Sequence, residues 1–376
     1  MLARLPVLVF GLAGPALAAP PVPPPPLDVV PVGQPRETHV LTWRASDVTC
    51  GAGTRIAPAV RNAPEPQQVM TRGYNGPSEV TVRFDLDAGG RPFNMSGVIE
   101  PRSRLQARDI MPSLRASRFV VDAPQTGCSV RYTPQIESAA QAPPETLARF
   151  GVAQRLRMGK DVWDRLAPGD CRERPRVAPL TRSFPDFRKL ARQEGARQWT
   201  YVRYDLDSAG MPVNLVTGPT SGYDALDAEA LRAVAAGRYA GGARTGCVQA
   251  WWTGPETIPA PPIPPQSETA GNPACEIADR WAREPVLTYP DPYRQRAIEG
   301  WAILRFDVAP WGEIGEITVL AAEPSSEIGE AAINVLRRAR LKPREGGLSG
   351  CVDRVIFRIR ADETEPSGSE VDTAVD

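Results

Sequence analysis

The chain has 376 residues, of which 42% are hydrophobic, and its 44 lysines and arginines equal its 44 aspartates and glutamates. This length and composition are typical of a globular protein with two or three domains, each able to form a core. The lack of net charge argues against nucleic acid or an acidic membrane surface as the main partner. The 41 prolines indicate linkers and turns between small modules rather than long helices.

The first 18 residues have the features of a secretory signal. An apolar run from Leu5 to Leu17 ends in an Ala-x-Ala pattern at Ala18, and prolines and glycines interrupt it. Because a spanning helix needs roughly 20 apolar residues, residues 1–18 are predicted to be a cleaved signal peptide. The mature chain is then expected in the periplasm, without stable membrane insertion. The alternative is an uncleaved signal that anchors the chain in the inner membrane.

Segments of biased composition divide the remaining chain. Residues 19–40 begin with APPVPPPP and are predicted to be an extended spacer, and residues 257–266 are a second Pro-rich linker. Residues 134–165 are predicted to be a linker that could contain a helix. Residues 361–376 carry acidic residues and no basic ones, so we expect a disordered acidic tail.

One short motif occurs three times in the chain. The copies are VRFDLDAGG at 82–90, VRYDLDSAG at 202–210 and the looser LRFDVAPWG at 304–312. An arginine and a large apolar residue follow each copy at the same distance: Arg118-Phe119, Arg238-Tyr239 and Arg340-Leu341. Equal spacing at positions outside the motif indicates one module used three times. The predicted modules are residues 41–133, 166–256 and 267–360.

The six cysteines follow the same pattern, with one before and one after each motif. In an exported chain this arrangement favours one disulfide within each module. The predicted pairs are Cys50 with Cys128, Cys171 with Cys247, and Cys275 with Cys351. A metal site is disfavoured because His39 is the only histidine and no CxxC occurs. No metal and no cofactor are therefore predicted.

Each motif predicts a strand followed by a hairpin. Apolar and polar residues alternate from Val80 to Asp87, which is typical of a strand with one buried face. The Asp-x-Asp-x-x-Gly pattern could indicate a calcium loop, but further acidic ligands are lacking and Ala309 replaces the second aspartate in the third copy. We therefore interpret it as a hairpin turn. A second strand is clearest at Glu316 to Leu320.

A helix and a last strand are predicted after the hairpin. In the third copy, apolar residues recur at three- and four-residue steps from Ile328 to Ala339, with Ser325 or Ser326 as the N-cap. Pro112 is expected to kink or shorten the helix of the first copy. The last strand is predicted from Cys351 to Arg360. The fold class is therefore α+β, with three tandem modules that each pack a small antiparallel sheet on a helix.

The third copy contains several short motifs in a fixed order. They are Tyr289-Pro290, Glu299-Gly300, the hairpin Gly312, Glu330-Ala331-Ala332 and Arg340-Leu341-Lys342-Pro343. In these motifs the third copy resembles the C-terminal domain of TonB-type energy transducers. The second copy keeps Phe184-Pro185, the hairpin and Arg238-Tyr239, and the first keeps the strand, the helix pattern and Arg118-Phe119.

The resemblance implies a protein-binding role in transmembrane transport. Domains of that family bind outer-membrane transporters by accepting a short peptide strand at the edge of their sheet, and an anchor helix with a long Pro-rich spacer transmits force to them. Here the anchor is predicted to be cleaved, and APPVPPPP would span only about 25 Å at roughly 3.1 Å per residue. Protein partners in the envelope, including outer-membrane transporters, are therefore expected, but force transduction by this chain alone is not.

The last strand of the third copy is the first candidate for the binding edge. Val355 and Phe357 are predicted to face the helix, whereas Arg354, Ile356, Arg358 and Arg360 face outward as a basic strip that would favour an acidic partner strand. The alternative is a solvated face whose charges only prevent aggregation.

Trp251 and Trp252 form a second candidate site, because adjacent strand residues point to opposite faces and one indole is expected to leave the core.

Two other classes of function remain open. A non-energised envelope scaffold would use the three modules as spacers or as several weak binding sites. An enzyme is the third alternative, and against it stands the absence of a Gly-x-Ser-x-Gly, His-Glu-x-x-His or phosphate-loop motif. The carboxylates of Asp85 and Asp87 are explained as solvated hairpin charges.

Overall fold

The computed structural model describes residues 38–69, 76, 78–97, 107–154, 159–275, 281–360 and 368–371. The predicted signal peptide and most of the Pro-rich spacer lie outside the described residues, as does most of the acidic tail. The described residues belong to one compact unit. None of the helices in these ranges is long and apolar enough to cross a membrane.

The first part of the described chain forms a seven-stranded sheet, a separate pair of short strands and one short helix. The strands of the sheet are β1 (His39–Ala45), β2 (Val48–Cys50), β3 (Thr54–Ile56), β5 (Gln67–Val69), β6 (Val80–Leu86), β7 (Pro92–Gly97) and β9 (Gln125–Ser138). The separate pair is β4 (Pro58–Val60) with β8 (Arg118–Phe119), and the helix is α1 (Ile110–Ala116). In this first sheet, β9 pairs with β6 on one side and with β1 and β2 on the other, and β7 pairs with β6.

Two helices lead to the second sheet. The elements are α2 (Pro144–Gln154), α3 (Lys160–Leu166), β10 (Ala178–Thr181), β11 (Gln198–Leu206), β12 (Pro212–Thr220), α4 (Asp224–Ala235), β13 (Arg238–Ala240) and β14 (Arg244–Thr253). The third sheet and the end of the chain comprise β15 (Trp281–Arg283), α5 (Asp291–Gln295), β16 (Gly300–Val308), β17 (Ile314–Glu323), α6 (Ser326–Arg338), β18 (Arg340–Leu341), β19 (Leu348–Phe357) and β20 (Gly368–Val371). The strand order is β12-β11-β14-β20 in the second sheet and β17-β16-β19 in the third.

The three sheets contain the same local sequence of elements. An antiparallel hairpin is followed by a helix, a short strand and a long last strand that pairs antiparallel with the first strand of the hairpin. The short strand after each helix pairs with a strand that precedes the hairpin, in β4-β8, β10-β13 and β15-β18. The predicted α+β class with small antiparallel sheets is confirmed.

A close backbone contact explains the equal spacing between the motif and the later arginine. The hairpin glycines Gly90, Gly210 and Gly312 have φ of +72°, +73° and +89°. A Cβ on any of them would lie 1.8–1.9 Å from the carbonyl oxygen of Phe119, Tyr239 or Leu341, respectively. The N–H of that same residue donates to the glycine carbonyl at 2.8–2.9 Å. The hairpin and the short strand after the helix are thus held in direct contact, which fixes the chain length between them.

The aspartates of the motif hold the turn. Asp87 Oδ1 accepts hydrogen bonds from the backbone N–H groups of Gly89 and Arg91, at 2.8 and 2.9 Å. Asp85 Oδ1 accepts from the N–H of Gly127 at 2.9 Å, near the start of β9. Asp205 and Asp307 make the equivalent contacts to glycines in β14 and β19. The hairpin interpretation is confirmed, and the described part of the chain contains no cluster of acidic, histidine or cysteine side chains that could hold a metal.

The helices bury the apolar positions that the sequence predicted, with one difference at the N-terminus of α6. Ile328, Ala332 and Leu336 are buried against the third sheet. Ser325 occupies the N-cap position but makes no side-chain cap bond, because its hydroxyl contacts the hydroxyl of Tyr293 instead. Pro112 lies in the first turn of α1, which is only seven residues long, so the expected shortening is confirmed.

The three predicted disulfides are present. They join Cys50 to Cys128, Cys171 to Cys247, and Cys275 to Cys351. Each bond ties a segment before the hairpin to the last strand of the same sheet. The segment before the hairpin therefore stays beside that strand.

Arg296 joins all three parts of the molecule. Its guanidinium makes a bidentate pair with Asp109, with both N–O distances at 2.6 Å. It also donates to the carbonyl oxygens of Gly195 at 3.2 Å and Ala63 at 3.0 Å. Burial lowers the pKa of Arg296, but the carboxylates of Asp109 and Glu65 together outweigh burial, so the pKa lies above its usual value. We call this group of contacts the Arg296 joint.

Glu65 lies at the edge of the Arg296 joint. Its carboxylate accepts from Arg149 Nε at 3.1 Å and lies 4.0 Å from Arg296 Nη2. Burial raises the pKa of Glu65, but the guanidinium groups of Arg149 and Arg296 outweigh burial and hold the pKa below its usual value. The ionised form of Glu65 is therefore favoured in the folded protein.

Further polar contacts connect the first sheet to the rest of the chain. Glu194, which precedes β11, pairs with Arg91 and, at 2.9 Å, with Arg118. Arg115 donates to the carbonyl oxygen of Pro259 at 3.0 Å, and burial lowers the pKa of its guanidinium to about 10. The three sheets are thus not separated by free linkers, although the chain between them is rich in proline.

The hairpin glycine gives the first testable prediction. Gly210→Ala should lower the free energy of unfolding by about 3 kcal/mol or more, since it adds left-handed strain and forces the backbone of Tyr239 to move. Gly222→Ala is the matched control because Gly222 also has a positive φ, +84°, but a Cβ added there would have no atom within 4 Å. It should cost only about 1–2 kcal/mol. Urea unfolding of the oxidised proteins measures both, and equal costs would contradict the contact.

The second prediction concerns the Arg296 joint. Arg296→Met leaves the buried carboxylate of Asp109 without its cation, so stability should fall by about 3–5 kcal/mol. The double variant Arg296→Met, Asp109→Leu removes both charges and should recover part of that loss in urea unfolding. Lys160→Met is the control, since Lys160 pairs with Asp164 at 2.6 Å but is 88% exposed, and it should have little effect. A similar small effect for Arg296→Met would show that the joint is not needed.

The lowered pKa of Glu65 gives a pH-dependent prediction. The unfolded chain binds a proton at a higher pH than the folded chain, so the stability from this group is present above the unfolded pKa, about 4.3, and is lost as the pH falls below it. Glu65→Gln removes this contribution, and its stability should fall less steeply than that of the wild type between pH 6 and pH 3.5. Glu345→Gln, which removes an exposed carboxylate, is the control for the loss of one acidic group. Identical slopes for all three proteins would refute the prediction.

Candidate functional site

The last strand of the third sheet, β19, was predicted to carry the binding edge. It pairs with β16 without interruption from Cys351 to Phe357. The N–H of Arg354 donates to Asp353 Oδ1 at 2.7 Å rather than to β16, so by strand alternation Val352, Arg354 and Ile356 present their backbone groups to the side away from β16. We call this side of a last strand its outer edge.

The side chains of β19 alternate between the two faces as predicted over most of the strand. Val355 and Phe357 are buried, whereas Ile356 is 38% exposed. Burial raises the pKa of Asp353 above its usual value, which the hydrogen bond from Arg354 partly offsets. The strand ends at Phe357 and not at Arg360. Beyond this end, the N–H of Ile359 donates to the carboxylate of Glu299 at 3.1 Å instead of continuing the pairing with β16.

The basic strip is smaller than predicted. Arg358 and Arg360 are exposed but lie beyond the end of β19. Arg354 is half-buried, and its guanidinium donates to the carbonyl oxygen of Pro264 at 2.8 Å. The prediction of a continuous row of outward arginines on the strand is therefore wrong, since one of them is bound to the chain and two follow the strand.

Residues 261–272, which we call the linker segment, run beside the outer edge of β19. Asn272 donates from its N–H to the carbonyl oxygen of Gly350 at 3.0 Å and from Nδ2 to that of Ser349 at 2.9 Å. A Cβ on Gly271 would lie 2.8 Å from the backbone nitrogen of Val352. The Cys275–Cys351 disulfide holds the end of this segment to the strand. The edge is thus covered near Gly350 and Val352.

The coverage of β19 is incomplete. The linker segment is irregular, and no strand within the described ranges pairs with the outer edge of β19. A cavity of about 480 Å³ lies between residues 269–275 and the strand residues Val352, Asp353 and Arg354. An extended peptide could pair with the exposed end of the edge at Ile356 at once, but it would have to displace part of the linker segment to reach Val352.

The equivalent outer edges of the first two sheets are covered by strands. In the first sheet, β1 pairs with β9 over seven positions, from His39 opposite Ser138 to Ala45 opposite Tyr132. In the second sheet, β20 from the acidic tail pairs antiparallel with β14. The expectation of a fully disordered tail is therefore wrong for Gly368–Val371, because these residues find unpaired backbone groups on β14. The other residues of the tail lie outside the described part of the chain.

The second candidate, Trp251 and Trp252, is not a surface site. Trp251 is fully buried against α4 and contacts the rings of Phe184 and Phe187. Trp252 is 7% exposed and packs in a separate cluster with α2 and α3. The prediction that one indole leaves the core is wrong because these two helices cover the second face of the sheet. Both faces of β14 are consequently buried.

Two features of the site were missed from the sequence. Residues 257–266 were interpreted as a Pro-rich linker and residue 267 as the start of the third module, although Gly271 and Asn272 lie just before Cys275. The tail strand was missed because its four residues, GSEV, have little strand propensity. The predicted disulfide to Cys351 was the one signal that placed residues near 275 beside β19.

Comparisons with known proteins point to the third sheet. Residues 285–359 match the family model described as Gram-negative bacterial TonB protein C-terminal. Protein TonB of Escherichia coli (strain K12) is 34% identical over 71 residues, which are 19% of this chain and 29% of that protein. The chain thus spans less than a third of the length of this curated relative. The matched residues contain α5, β16, β17, α6, β18 and β19, so the similarity includes the candidate edge.

Proposed function

We propose that this chain is a TonB-like envelope protein that binds extended peptide segments of other envelope proteins by strand addition at the outer edge of β19. The observation that carries the proposal is the similarity of residues 285–359 to the TonB C-terminal family, in a sheet whose β19 edge has no paired strand in the described part of the chain. Outer-membrane transporters are the partner class that this similarity favours.

The chemistry of β19 suits an incoming strand. The outward backbone groups of Val352 and Ile356, and that of Arg354 once its N–H leaves Asp353 Oδ1, would form main-chain hydrogen bonds with an extended peptide. Such bonds supply affinity without a defined sequence. Ile356 offers an exposed apolar side chain for selectivity. Arg358, which is exposed just after the strand, would favour an acidic residue at one end of the bound segment.

The linker segment sets the condition for binding. An incoming strand that covers Val352 must replace the contacts of Gly271 and Asn272, whereas one that begins at Ile356 need not. Because Cys275 remains tied to Cys351, the linker segment would move aside without leaving the edge. A peptide is therefore expected to bind in two stages, first at Ile356 and then along the strand.

We further propose that the three sheets derive from one module used three times. The shared hairpin glycines with their contact to the short strand, the shared aspartate contacts and the three equivalent disulfides support this interpretation. The family model matches the third copy, at residues 285–359. The disulfides also suit an exported chain, since oxidising compartments such as the periplasm maintain them.

A non-energised envelope scaffold is the second candidate. The Arg296 joint favours it, because one buried arginine binds groups on all three parts of the chain and so limits their relative motion. In this case the chain would hold partners at fixed separations and would not transmit force. The two candidates differ in whether the β19 edge itself contacts a partner.

Photocrosslinking from position 356 tests the β19 edge. A chain with a photoreactive phenylalanine analogue at Ile356, expressed in the periplasm, should crosslink to an extended segment of an envelope protein, which mass spectrometry of the adduct identifies. Ile356→Pro removes an outward donor and should weaken binding of that segment at least about tenfold, the loss of one or two hydrogen bonds.

Leu320→Pro is the matched control on the opposite edge of the same sheet. Leu320 is the extra residue of a bulge in β17, between the pairs Ile303–Ala321 and Leu304–Val319, so a proline there should be tolerated and should leave binding unchanged. If Ile356→Pro folds with its disulfides intact and binds the segment with wild-type affinity, strand addition at β19 is wrong and the scaffold is favoured.

A further inference from the structure

The second sheet carries its own evidence for strand binding. β20 pairs antiparallel with β14 over four positions, with Gly368 opposite Trp252, Ser369 opposite Trp251, Glu370 opposite Ala250 and Val371 opposite Gln249. The chain has by then left the third sheet, where β19 ends at Phe357. The acidic tail therefore returns to a different sheet and adds a strand to it.

The outer edge of β14 needs such a strand. Gln249, Ala250, Trp251 and Trp252 are all buried, at 2%, 3%, 0% and 7% exposure, so neither face of the strand presents charges that would discourage pairing. An uncovered edge with buried apolar side chains on both faces is prone to pair with other chains. Natural proteins cover such edges, and here the tail does so.

β20 is a weaker cover than its counterpart in the first sheet. β1 pairs with β9 over seven positions and buries Leu41 and Trp43 in the core of the first sheet. β20 has four residues, and glycine and serine at its start contribute little strand propensity. β1 is thus a fixed member of its sheet, whereas β20 is suited to exchange.

The register also defines what can replace β20. Residues directly opposite each other in an antiparallel pair lie only about 4.5–5.5 Å apart at Cβ, and two consecutive tryptophans leave little room on either side. β20 places its two smallest residues, Gly368 and Ser369, opposite Trp252 and Trp251. A matching ligand is therefore an extended segment with two adjacent small residues.

We propose that the outer edge of β14 is a second strand-binding site, specific for extended segments with two adjacent small residues, and that the acidic tail occupies it in cis. Tethering gives the tail an effective concentration of up to about millimolar, so the intact chain excludes weak ligands from this site. Segments of matching chemistry on a partner bind only when the tail is released. This site is independent of the proposed function at β19.

Peptide binding to a truncated chain tests the proposal. The probe is a fluorescein-labelled peptide of residues 361–376, and its anisotropy is measured with the full chain and with a chain that ends at Arg360. The peptide should bind the truncated chain at least about tenfold more tightly than the full chain, because the tethered tail competes. The same peptide with Gly368→Val and Ser369→Val should bind the truncated chain much more weakly than the unsubstituted peptide does.

Further variants distinguish peptide binding at β14 from an effect of truncation on folding and from peptide binding at β19. A full-length chain with Ser369→Pro and Glu370→Pro should bind the peptide as the truncated chain does, which keeps the test valid if truncation disturbs folding. In the truncated chain, Ile356→Pro should leave peptide binding unchanged; loss of binding there would place the peptide on β19 and overturn the proposal. Failure of the β19 crosslink would not affect this result.

Several further results would contradict the proposal. The peptide could fail to bind the truncated chain, could bind the full and truncated chains equally, or could bind the truncated chain no more tightly than a scrambled peptide of the same charge does. A dimer of the full chain in sedimentation equilibrium that disappears on truncation would also overturn occupation in cis, because the tail would then cover β14 of a second copy.

Discussion

The bidentate pair between Arg296 and Asp109 is the interaction on which the arrangement of the whole chain depends. Both side chains are buried, and the same guanidinium donates to the backbone carbonyls of Ala63 and Gly195. A buried charge without a partner is strongly unfavourable, so Arg296 is stable only where the first sheet, the second sheet and the start of the third meet. Three units that each have a disulfide and a core of their own are thereby held in one body.

That arrangement brings distant segments to the outer edges of the sheets. Each last strand leaves one edge unpaired by its own hairpin, and the chain covers each edge differently: with an N-terminal strand on β9, with the tail on β14 and with the irregular linker segment on β19. Covering edges is a general way to prevent aggregation. The three covering segments differ in regularity and length. Because of this difference, and not because of the fold of each sheet, the edges differ in how readily they can bind a partner strand.

The sequence was sufficient for what is local or repeated. Three copies of one motif predicted the hairpins, the cysteine spacing predicted the disulfides, and three- and four-residue steps predicted α6. The close contact between Gly90 and Phe119, or Gly210 and Tyr239, explains why the spacing was so regular.

The features that the sequence did not predict are contacts between parts of the chain that are far apart. Arg296 and Asp109 are 187 positions apart, and each alone resembles an ordinary surface charge. One of Trp251 and Trp252 was expected at the surface, because the helices α2 and α3 that cover Trp252 come from a segment interpreted as a linker. The strand at Gly368–Val371 depends on the unpaired edge of β14 and not on its own residues.

We claim that the chain covers its own sheet edges, and residue-resolved amide hydrogen exchange on the intact, oxidised protein is the measurement that decides this. Outward amides of residues 249–252 in β14 should exchange slowly, more like residues 132–138 of β9, which β1 covers. Outward amides of β17, an edge that no described strand covers, should exchange much faster. Exchange in β14 as fast as in β17 would show that the tail does not hold the edge and would contradict the claim.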